Sequence, residues 1–380
     1  MSIRNEKRAL TISILCGKIK AVHLPPTSRS RAAVARRAHN PKVGSSILPF
    51  ATKGTEIVPV FIHCRCKPPA IEFDYLLNSS LWLVTAVISY SMKVGFVNIF
   101  GKPNAGKSTL LNALMDEKLA IVSSKVQTTR HRIKGILTEK DYQIVFSDTP
   151  GIIEPKYRLH EKMMDAVKNS LEDADVALLI VDVNEDLKEC DQIFTALKLT
   201  VPAIVVINKI DRASQEKIKT TVNFFSNTPY YKKVVTISAS SGINKKKFLK
   251  EILEFLPEGE PFFSGDEISD LQTKFFVAEL IREKVFELFG DEIPYQATVV
   301  VNEFKEKTTL TKITADIIVQ RESQKAIMLG EGGKMIKKLG TESRKSIEDF
   351  IQQKVFLELF IKVRDKWRDN DTWLKEYGYH

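Results

Sequence analysis

Gly101-Lys102-Pro103-Asn104-Ala105-Gly106-Lys107-Ser108-Thr109 is the stretch of sequence that decides the fold of this chain. It follows one apolar run (94–100, VGFVNIF) and precedes another (110–114, LLNAL), so we predict that it joins a β-strand to an α-helix. The spacing matches the phosphate-binding pattern G-x-x-x-x-G-K-[ST] in the strand and helix context that this loop requires. Backbone N–H groups of such a loop, together with the positive end of the following helix, are suited to binding phosphates.

Seven of the nine residues of this loop have a predicted role. Lys107 is expected to reach the β and γ phosphates and to act in catalysis, and Ser108 is expected to ligate Mg²⁺. The other predicted nucleotide contacts in the loop are Gly101, Asn104, Ala105, Gly106 and Thr109.

Apolar runs and amphipathic stretches alternate after the loop, up to about residue 257. Predicted strands lie at 142–146, 176–181, 203–207 and 234–237, and predicted helices at 159–173, 187–198, 215–225 and 245–255. Repeated β-α units with continuous Val and Ile runs indicate an α/β domain with a mostly parallel, doubly wound sheet. Ligands of such sheets bind at the carboxyl ends of the strands.

Two further motifs follow predicted strands. Asp148-Thr149-Pro150-Gly151 offers a carboxylate that can hold Mg²⁺ through water and a Gly151 N–H that can sense the γ-phosphate. Asn208-Lys209-Ile210-Asp211 offers the Asp211 carboxylate, which can accept hydrogen bonds from N1–H and the 2-amino group of guanine. Adenine lacks those donors, so this motif favours GTP over ATP. Ser238 and Ala239, after the strand at 234–237, are predicted to complete the guanine contacts.

The four motifs, in this order and at strand ends, resemble the translation-factor class of GTPases. Within it, GKPNAGKST, the sequence QTTRHR at 127–132, DTPGI at 148–152 and NKID at 208–211 resemble the Era family, over residues 94–257. The resemblance implies that Thr129 is the switch I threonine that ligates Mg²⁺ and holds the γ-phosphate, with Thr128 as the adjacent alternative.

Two residues bear on the rate of hydrolysis. Many GTPases have a glutamine where this chain has Ile152, and an aliphatic side chain cannot orient the attacking water, so we expect slow hydrolysis. Related GTPases with an asparagine at the position of Asn104 use K⁺ near the phosphates. The alternative is that Asn104 only bonds its own backbone.

A domain boundary is predicted at Pro257-Glu258-Gly259-Glu260-Pro261, with a linker at 258–268. Beyond it, a helix at 271–289, strands at 297–305 and 312–320, a helix at 323–329, helical stretches at 334–339 and 341–352, and a strand at 355–363 are predicted. This α-β-β-α-α-β order with a G-x-x-G loop resembles an α+β type II KH domain over 269–367. The predicted RNA contacts are Gly330, Glu331, Gly332, Gly333, Lys334, Lys337 and Lys338.

Two features of this half depart from a simple interpretation. Glu331 places a carboxylate where Era-like sequences often have a lysine, so either Lys334 dominates or RNA binding is weaker than usual. The tail at 368–380 mixes aromatic and basic residues, which predicts either packing on the KH domain or stacking on bases.

Charge divides unevenly along the chain. The formal net charge is +10, but residues 1–91 hold 13 Lys and Arg against 4 Asp and Glu, which leaves 44 basic and 43 acidic residues for the remainder. Any RNA site in the body must therefore be a local basic patch. Only Cys190 lies in the body, so no disulfide framework is possible there, which fits a reducing compartment.

Residues 1–91 show no sustained helical or strand period and are predicted to be unstructured. They are either an organelle transit peptide or sequence upstream of a true start at Met92. We favour the second, because transit peptides seldom end in an aliphatic run like 81–90 (LWLVTAVISY).

The Era resemblance implies a GTP-hydrolysing, Mg²⁺-dependent assembly factor for the 30S ribosomal subunit, whose KH domain binds the 3′ end of 16S rRNA. It also implies a monomer in the cytoplasm with peripheral association with the membrane, or an organellar protein if residues 1–91 are a transit peptide. The alternative is a GTP-regulated RNA adaptor or chaperone in which hydrolysis is incidental.

Overall fold

A computed structural model describes residues 10–15, 18–23, 92–123, 125–228, 231–290 and 292–379, with side chains from residue 92. The chain divides into a unit that ends at Ser91 and a unit that begins at Met92. In the first unit, strands β1 (Leu10–Leu15) and β2 (Lys18–His23) pair antiparallel, which the sequence did not lead us to expect. The rest of the predicted extension, and the question of where translation starts, lie outside the described residues. Within the described ranges, no helix has both the length and the apolar character needed to cross a bilayer.

A seven-stranded sheet forms the first half of the second unit. Its strands are β3 (Met92–Gly101), β4 (Ile133–Glu139), β5 (Tyr142–Asp148), β6 (Val176–Asp182), β7 (Ala203–Asn208), β8 (Lys233–Thr236) and β9 (Glu258–Gly259). The helices of this half are α1 (Lys107–Met115), α2 (Arg158–Glu172), α3 (Leu187–Ala196), α4 (Gln215–Ser226) and α5 (Lys245–Leu253). The strand order is β4-β5-β3-β6-β7-β8, and β9 pairs with the start of β3.

Most strand pairs in this sheet are parallel, and only β4–β5 and β3–β9 are antiparallel. The run VALLIVD of β6 shows why: its first six residues are buried, as a strand covered on both faces requires. Separate apolar clusters lie on the two faces, one with Leu111 and Ile252 and the other with Phe194 and Phe225. The predicted mostly parallel, doubly wound sheet is confirmed, with the carboxyl end of β3 at its centre.

Strand β4 was missed in the sequence because Lys134 and Gly135 interrupt its apolar pattern. The glycine is needed for packing, since a Cβ there would lie 2.9 Å from the Met115 sulfur of α1. We call residues 116–132, between α1 and β4, the switch I segment, and residues 149–157, between β5 and α2, the switch II segment.

The second half is the expected small α+β domain. It contains α6 (Thr273–Leu288), α7 (Ile293–Gln296), β10 (Thr298–Glu306), β11 (Thr311–Val319), α8 (Glu322–Leu329), α9 (Lys334–Ile351) and β12 (Val355–Val363). The order in the sheet is β10-β11-β12, with β10–β11 antiparallel and β11–β12 parallel. The two helical stretches around Gly340 form one continuous helix, α9, and the short α7 was not predicted.

The C-terminal tail is folded onto the body. Trp367 is fully buried and donates from Nε1 to the Gln296 carbonyl at 2.9 Å. Tyr379 and Leu374 of the tail join it in one apolar cluster with Leu159 and Met163 of α2. Of the two interpretations of the tail, packing is the one seen for these residues, and their partners include the GTPase half as well as the KH half.

Candidate functional site

The loop between β3 and α1 has the shape that phosphate binding requires. Gly106 has φ of 100°, and a Cβ there would lie 2.2 Å from Asn208 Nδ2, so only glycine fits. Lys107 is buried, and its Nζ donates to the carbonyls of Gly101 at 3.2 Å and Lys102 at 2.9 Å. Burial lowers the pKa of Lys107 to about 8, against the opposing effect of Asp148. The ammonium therefore points into the loop, where phosphate oxygens can replace the carbonyls.

Three oxygen-bearing side chains converge next to this loop. Ser108 Oγ donates to Asp148 Oδ2 at 2.6 Å, and Thr129 Oγ1 lies 2.7 Å from Ser108 Oγ and 3.3 Å from Asp148 Oδ2. Asp148 Oδ1 is buried and has no hydrogen-bond partner among the described residues. Burial raises the pKa of Asp148 to about 6, which nearby Lys107 partly offsets.

This set of donors fits Mg²⁺, a cation that prefers oxygen ligands and is usually held by few protein side chains. The buried Asp148 Oδ1, which has no hydrogen-bond partner among the described residues, is the observation that indicates a bound cation. Thr129, rather than Thr128, directs its hydroxyl to this point, while the Thr128 carbonyl accepts a bond from Arg282.

Asn208 connects the phosphate loop to the predicted base-binding motif. Its Nδ2 donates to the Ala105 carbonyl and its Oδ1 accepts from the Ala239 N–H, both at 3.0 Å. Guanine O6 would have to share or replace the second bond, so the guanine contact of Ala239 stays a prediction.

Asp211 lies beside Ser238, whose hydroxyl donates to Asp211 Oδ1 at 2.5 Å. This bond orients the carboxylate that is predicted to recognise guanine. Lys209 donates to the Asn104 carbonyl at 2.7 Å and pairs with Asp182 at 2.8 Å. The base-binding motif is thus attached to the phosphate loop at a second point.

The start of the switch II segment is packed against the phosphate loop. A Cβ on Gly151 would lie 2.8 Å from the Pro103 ring, and the Ile152 N–H donates to the Gly101 carbonyl at 3.2 Å. The Ile152 side chain packs against the apolar cluster of Phe194, so no polar group is presented there.

A cleft of about 430 Å³ gathers most of these groups. Of the predicted nucleotide-binding residues, it is lined by Asn104, Gly106, Lys107, Ser108, Thr109, Thr129, Gly151 and Lys209. The other predicted residues are not among those that line the cleft: Gly101, Ala105, Asp148, Asn208, Asp211, Ser238 and Ala239. Arg212 also lines the cleft and was not predicted; its position directly after NKID was the available signal.

The G-x-x-G loop between α8 and α9 is exposed. Gly330, Gly332 and Gly333 have φ of 68°, 57° and 78°, which glycine adopts without strain. Glu331 pairs with Lys334 at 3.0 Å, and both side chains are mostly exposed. The carboxylate therefore pairs with Lys334, and of the two alternatives this favours RNA binding that is weaker than usual.

Lys337 and Lys338 extend the positive surface along the first turns of α9. Ile327 and Leu329 add exposed apolar side chains at the end of α8, with exposed fractions of 56% and 37%. These two residues were missed in the sequence because an apolar residue next to a helix end is ordinarily assigned to the core.

Fold and sites together define a P-loop GTPase joined to a KH domain. Residues 96–209 match the family model described as 50S ribosome-binding GTPase, and residues 292–368 match the KH domain model. GTPase Era of Geotalea daltonii is 42% identical over 290 residues, covering 75% of this chain and 97% of that protein. GTPase Era of Geobacter sp. (strain M21) is 44% identical over 288 residues, with coverage of 75% and 97%. The chain therefore belongs to the Era family of GTPases, and it is a GTP hydrolase.

Solved structures agree with this assignment. One is Era in complex with MgGDPNP and nucleotides 1506–1542 of 16S ribosomal RNA, and another is a variant of Aquifex aeolicus Era bound to GDP and AlF4⁻. Each is 39% identical, covers 76% of this chain and 99% of its own, and superposes with a TM-score of 0.73.

Proposed function

We propose that this chain binds GTP and Mg²⁺ in the cleft between the phosphate loop and the switch I segment. The convergence of Ser108, Thr129 and Asp148 on one point, with a buried carboxylate oxygen left over, carries this proposal. The similar Era structure with MgGDPNP supports it. Lys107 would bind the β and γ phosphates, and Asp211, oriented by Ser238, would select guanine.

Hydrolysis depends in this proposal on orientation and charge. Mg²⁺, when bound, would neutralise developing charge on the phosphates. The Lys107 ammonium lies inside the phosphate loop, where it bonds the Lys102 carbonyl. The backbone of Gly151 lies against Pro103 of the same loop. Because Ile152 is packed in an apolar cluster and presents no hydrogen-bonding group, we propose that turnover is slow without a partner.

We also propose that the KH domain binds the 3′ end of 16S rRNA and that the protein assists maturation of the 30S subunit. The exposed glycine loop with Lys334, Lys337 and Lys338 supports a backbone-binding site for single-stranded RNA. The similar Era complex, which contains nucleotides 1506–1542 of 16S ribosomal RNA, supports this choice of RNA. Bound GTP would order both switch segments and favour RNA binding, and hydrolysis would release the RNA.

Crosslinking with RNA sequencing, on the full chain in the GTP-bound state, tests this proposal. We expect reads to concentrate at the 3′ end of the small-subunit rRNA, and to be lost when Lys334, Lys337 and Lys338 are replaced by glutamine. Reads concentrated on other RNAs would overturn the assignment.

A GTP-regulated adaptor is the second candidate, favoured by the absence of a polar group at Ile152. Gly151→Ala separates the two, because the added Cβ would meet Pro103 at 2.8 Å and disturb the switch without touching the guanine contacts. If GTP stays bound but turnover stops, an assembly factor should fail to complement a depleted strain, whereas an adaptor should complement it.

We further propose, from the family resemblance, a K⁺ ion near the phosphates held by Asn104, which lines the cleft. Equal GTPase rates in K⁺ and Na⁺, for both the wild type and Asn104→Asp, would contradict the proposal that K⁺ binds at this position. A monomeric state, a cytoplasmic location and peripheral membrane association remain predictions from the family resemblance.

A further inference from the structure

The C-terminal domain holds the switch I segment at intervals along its length. Several of these contacts reach α6 or the short region around α7 and involve buried or partly buried atoms. They include the Lys118 to Glu283 ion pair at 2.6 Å, the Lys125 Nζ to Phe286 carbonyl bond at 2.5 Å and the Arg130 Nη1 to Ala297 carbonyl bond at 2.8 Å.

Arg282 of α6 contacts the peptide bond directly before Thr129, a proposed Mg²⁺ ligand. Its Nη2 donates to the Thr128 carbonyl at 2.5 Å, and that carbonyl belongs to the peptide bond preceding Thr129. The same guanidinium bonds both carboxylate oxygens of Glu279, at 2.7 and 2.5 Å. Its side chain is 1% exposed, and its central carbon lies 5.5 Å from the centre of the Phe286 ring.

The Glu279–Arg282 pair is fixed in place by its surroundings. Burial opposes ionisation of Glu279, but the adjacent guanidinium outweighs it and keeps the pKa of the carboxyl below its ordinary value. A planar guanidinium held on one side by a carboxylate has little freedom, so its remaining N–H bonds point in fixed directions. One of those directions is occupied by the Thr128 carbonyl.

We propose that Arg282 is a positioning residue for Thr129. By fixing the peptide between residues 128 and 129, it holds the Thr129 hydroxyl 2.7 Å from Ser108 and beside Asp148. This inference rests on the proposed nucleotide site. It follows that a residue of the KH half positions a proposed Mg²⁺ ligand of the GTPase half.

Replacing Arg282 should weaken binding only of a nucleotide that carries a γ-phosphate. In the proposed site, Thr129 contributes to binding only when a triphosphate and Mg²⁺ draw the switch I segment closed, so GDP affinity should not depend on Arg282. Without Arg282, binding of the triphosphate must also order the 128–129 peptide. We expect a loss of about tenfold in triphosphate affinity, within the range of ordinary coupling between sites.

Arg282→Lys in the full chain tests this directly. Lysine keeps a cation beside Glu279 but lacks the planar fork that bonds the carboxylate and the Thr128 carbonyl together. The measurement is the dissociation constant of fluorescent GDP and of fluorescent GTPγS in the presence of Mg²⁺. We expect the GTPγS value to rise about tenfold and the GDP value to change less than about twofold. Equal weakening of both nucleotides, or no change in either, would overturn the proposal.

Lys118→Met is the matched control. It removes another ion pair between the switch I segment and α6, but the other hydrogen bond of its partner Glu283 is to the Val122 N–H rather than to the 128–129 peptide. The ratio of GTPγS to GDP affinity should stay at the wild-type value. A change as large as that of Arg282→Lys would show that any loosening of the interface suffices, which overturns the specific role of Arg282.

Thr129→Ala distinguishes failure of the nucleotide site from failure of the positioning role. If it leaves the GTPγS to GDP ratio unchanged, the proposed Mg²⁺ site itself is wrong. If it weakens GTPγS selectively, adding Arg282→Lys should have no further effect, and multiplied effects would overturn the positioning role. Should Arg282→Lys fail to fold, the double variant Glu279→Gln, Arg282→Gln replaces the buried ion pair by neutral amides and carries the same expectation.

Discussion

Arg130, the residue after Thr129, donates from Nη1 to the Ala297 carbonyl at 2.8 Å. Its Nη2 donates to the carbonyls of Pro294 at 2.9 Å and Tyr295 at 3.0 Å. These acceptors lie at the C-terminal end of α7, where a helix has carbonyls without partners and a negative dipole end. A cation from the switch I segment thus caps a helix of the KH half, and the two halves are joined at the residue next to the proposed Mg²⁺ ligand.

We predict that Arg130→Met destabilises the protein by about 3 kcal/mol, because it leaves buried carbonyls without donors. The measurement is urea-induced unfolding of the full chain. Arg158→Met is the control, since Arg158 also joins the two halves, through Asp371 at 2.9 Å, but its pair is exposed to solvent. Its effect should be much smaller, and equal destabilisation by both variants would contradict the structural role of Arg130.

Gly106→Ala should abolish tight nucleotide binding while the protein still folds. The new Cβ would lie 2.2 Å from Asn208 Nδ2 and displace the side chain that connects the phosphate loop to Ala239. We expect GDP affinity to fall about a hundredfold or more, measured by fluorescence titration, as a loss of about 3 kcal/mol implies.

Gly378→Ala is the matched control for this prediction. Gly378 also has positive φ, at 86°, but its Cβ would make only an ordinary contact with His131 at 3.8 Å. Backbone strain of about 1 kcal/mol should lower stability without changing GDP affinity. A similar loss of GDP binding in both variants would show that strain, rather than the contact with Asn208, is responsible.

The nucleotide half could be predicted from the sequence because its signals are local. In β7, for example, a continuous apolar run ends at Asn208, the first residue of the base-binding motif, so the positions of the strand and of the site are both encoded within a few residues. The order of helices and strands in the KH domain was predicted in the same way, from changes in hydrophobic periodicity on either side of the G-x-x-G loop.

The interface between the halves could not be predicted, because its partners are far apart in the chain. Arg282 belongs to α6, where the charged residues Glu279, Arg282 and Glu283 are all buried, and Arg282 and Glu283 bond the switch I segment. Trp367 meets Leu159 across about two hundred residues, which no local pattern reveals. Charges on a helix are ordinarily solvated, so sequence reasoning assigns them to the surface.

Glu331→Lys should tighten RNA binding, most strongly at low salt. The Glu331–Lys334 pair at 3.0 Å places a carboxylate where a phosphate would approach, so replacement removes one repulsive charge and frees Lys334. The measurement is a salt titration of affinity for a single-stranded RNA with the 3′ sequence of 16S rRNA. The slope of log affinity against log salt should steepen by about 1 to 2.

Glu342→Lys on α9 makes the same change in net charge and breaks a similar ion pair, with Lys345 at 3.3 Å. It lies outside the glycine loop, so we expect a smaller gain in affinity than from Glu331→Lys. Equal gains would mean that overall charge, rather than the loop, governs binding, and no gain from Glu331→Lys would show that Glu331 points away from the RNA.

His160 should make the stability of this protein depend on pH. Its Nε2 lies 3.1 Å from Gln127 Oε1 in the switch I segment, and its Nδ1 accepts from the Lys156 N–H at 3.3 Å. Burial, with nearby Arg368 and Arg130, lowers the pKa of His160 to about 4 from its ordinary value of 6.5.

The sign of the pH effect follows from that depressed pKa. As the pH falls below 6.5 the unfolded chain binds a proton that the folded chain refuses until about pH 4, so stability is lost as the pH falls through this window. Between pH 7.5 and 5.5 the wild type should lose about 1 kcal/mol more unfolding free energy than His160→Gln, after allowing for solvent screening. Urea unfolding at both pH values measures this difference. Parallel losses in the two proteins would mean that His160 titrates normally and that the neutral link between the switch segments does not exist.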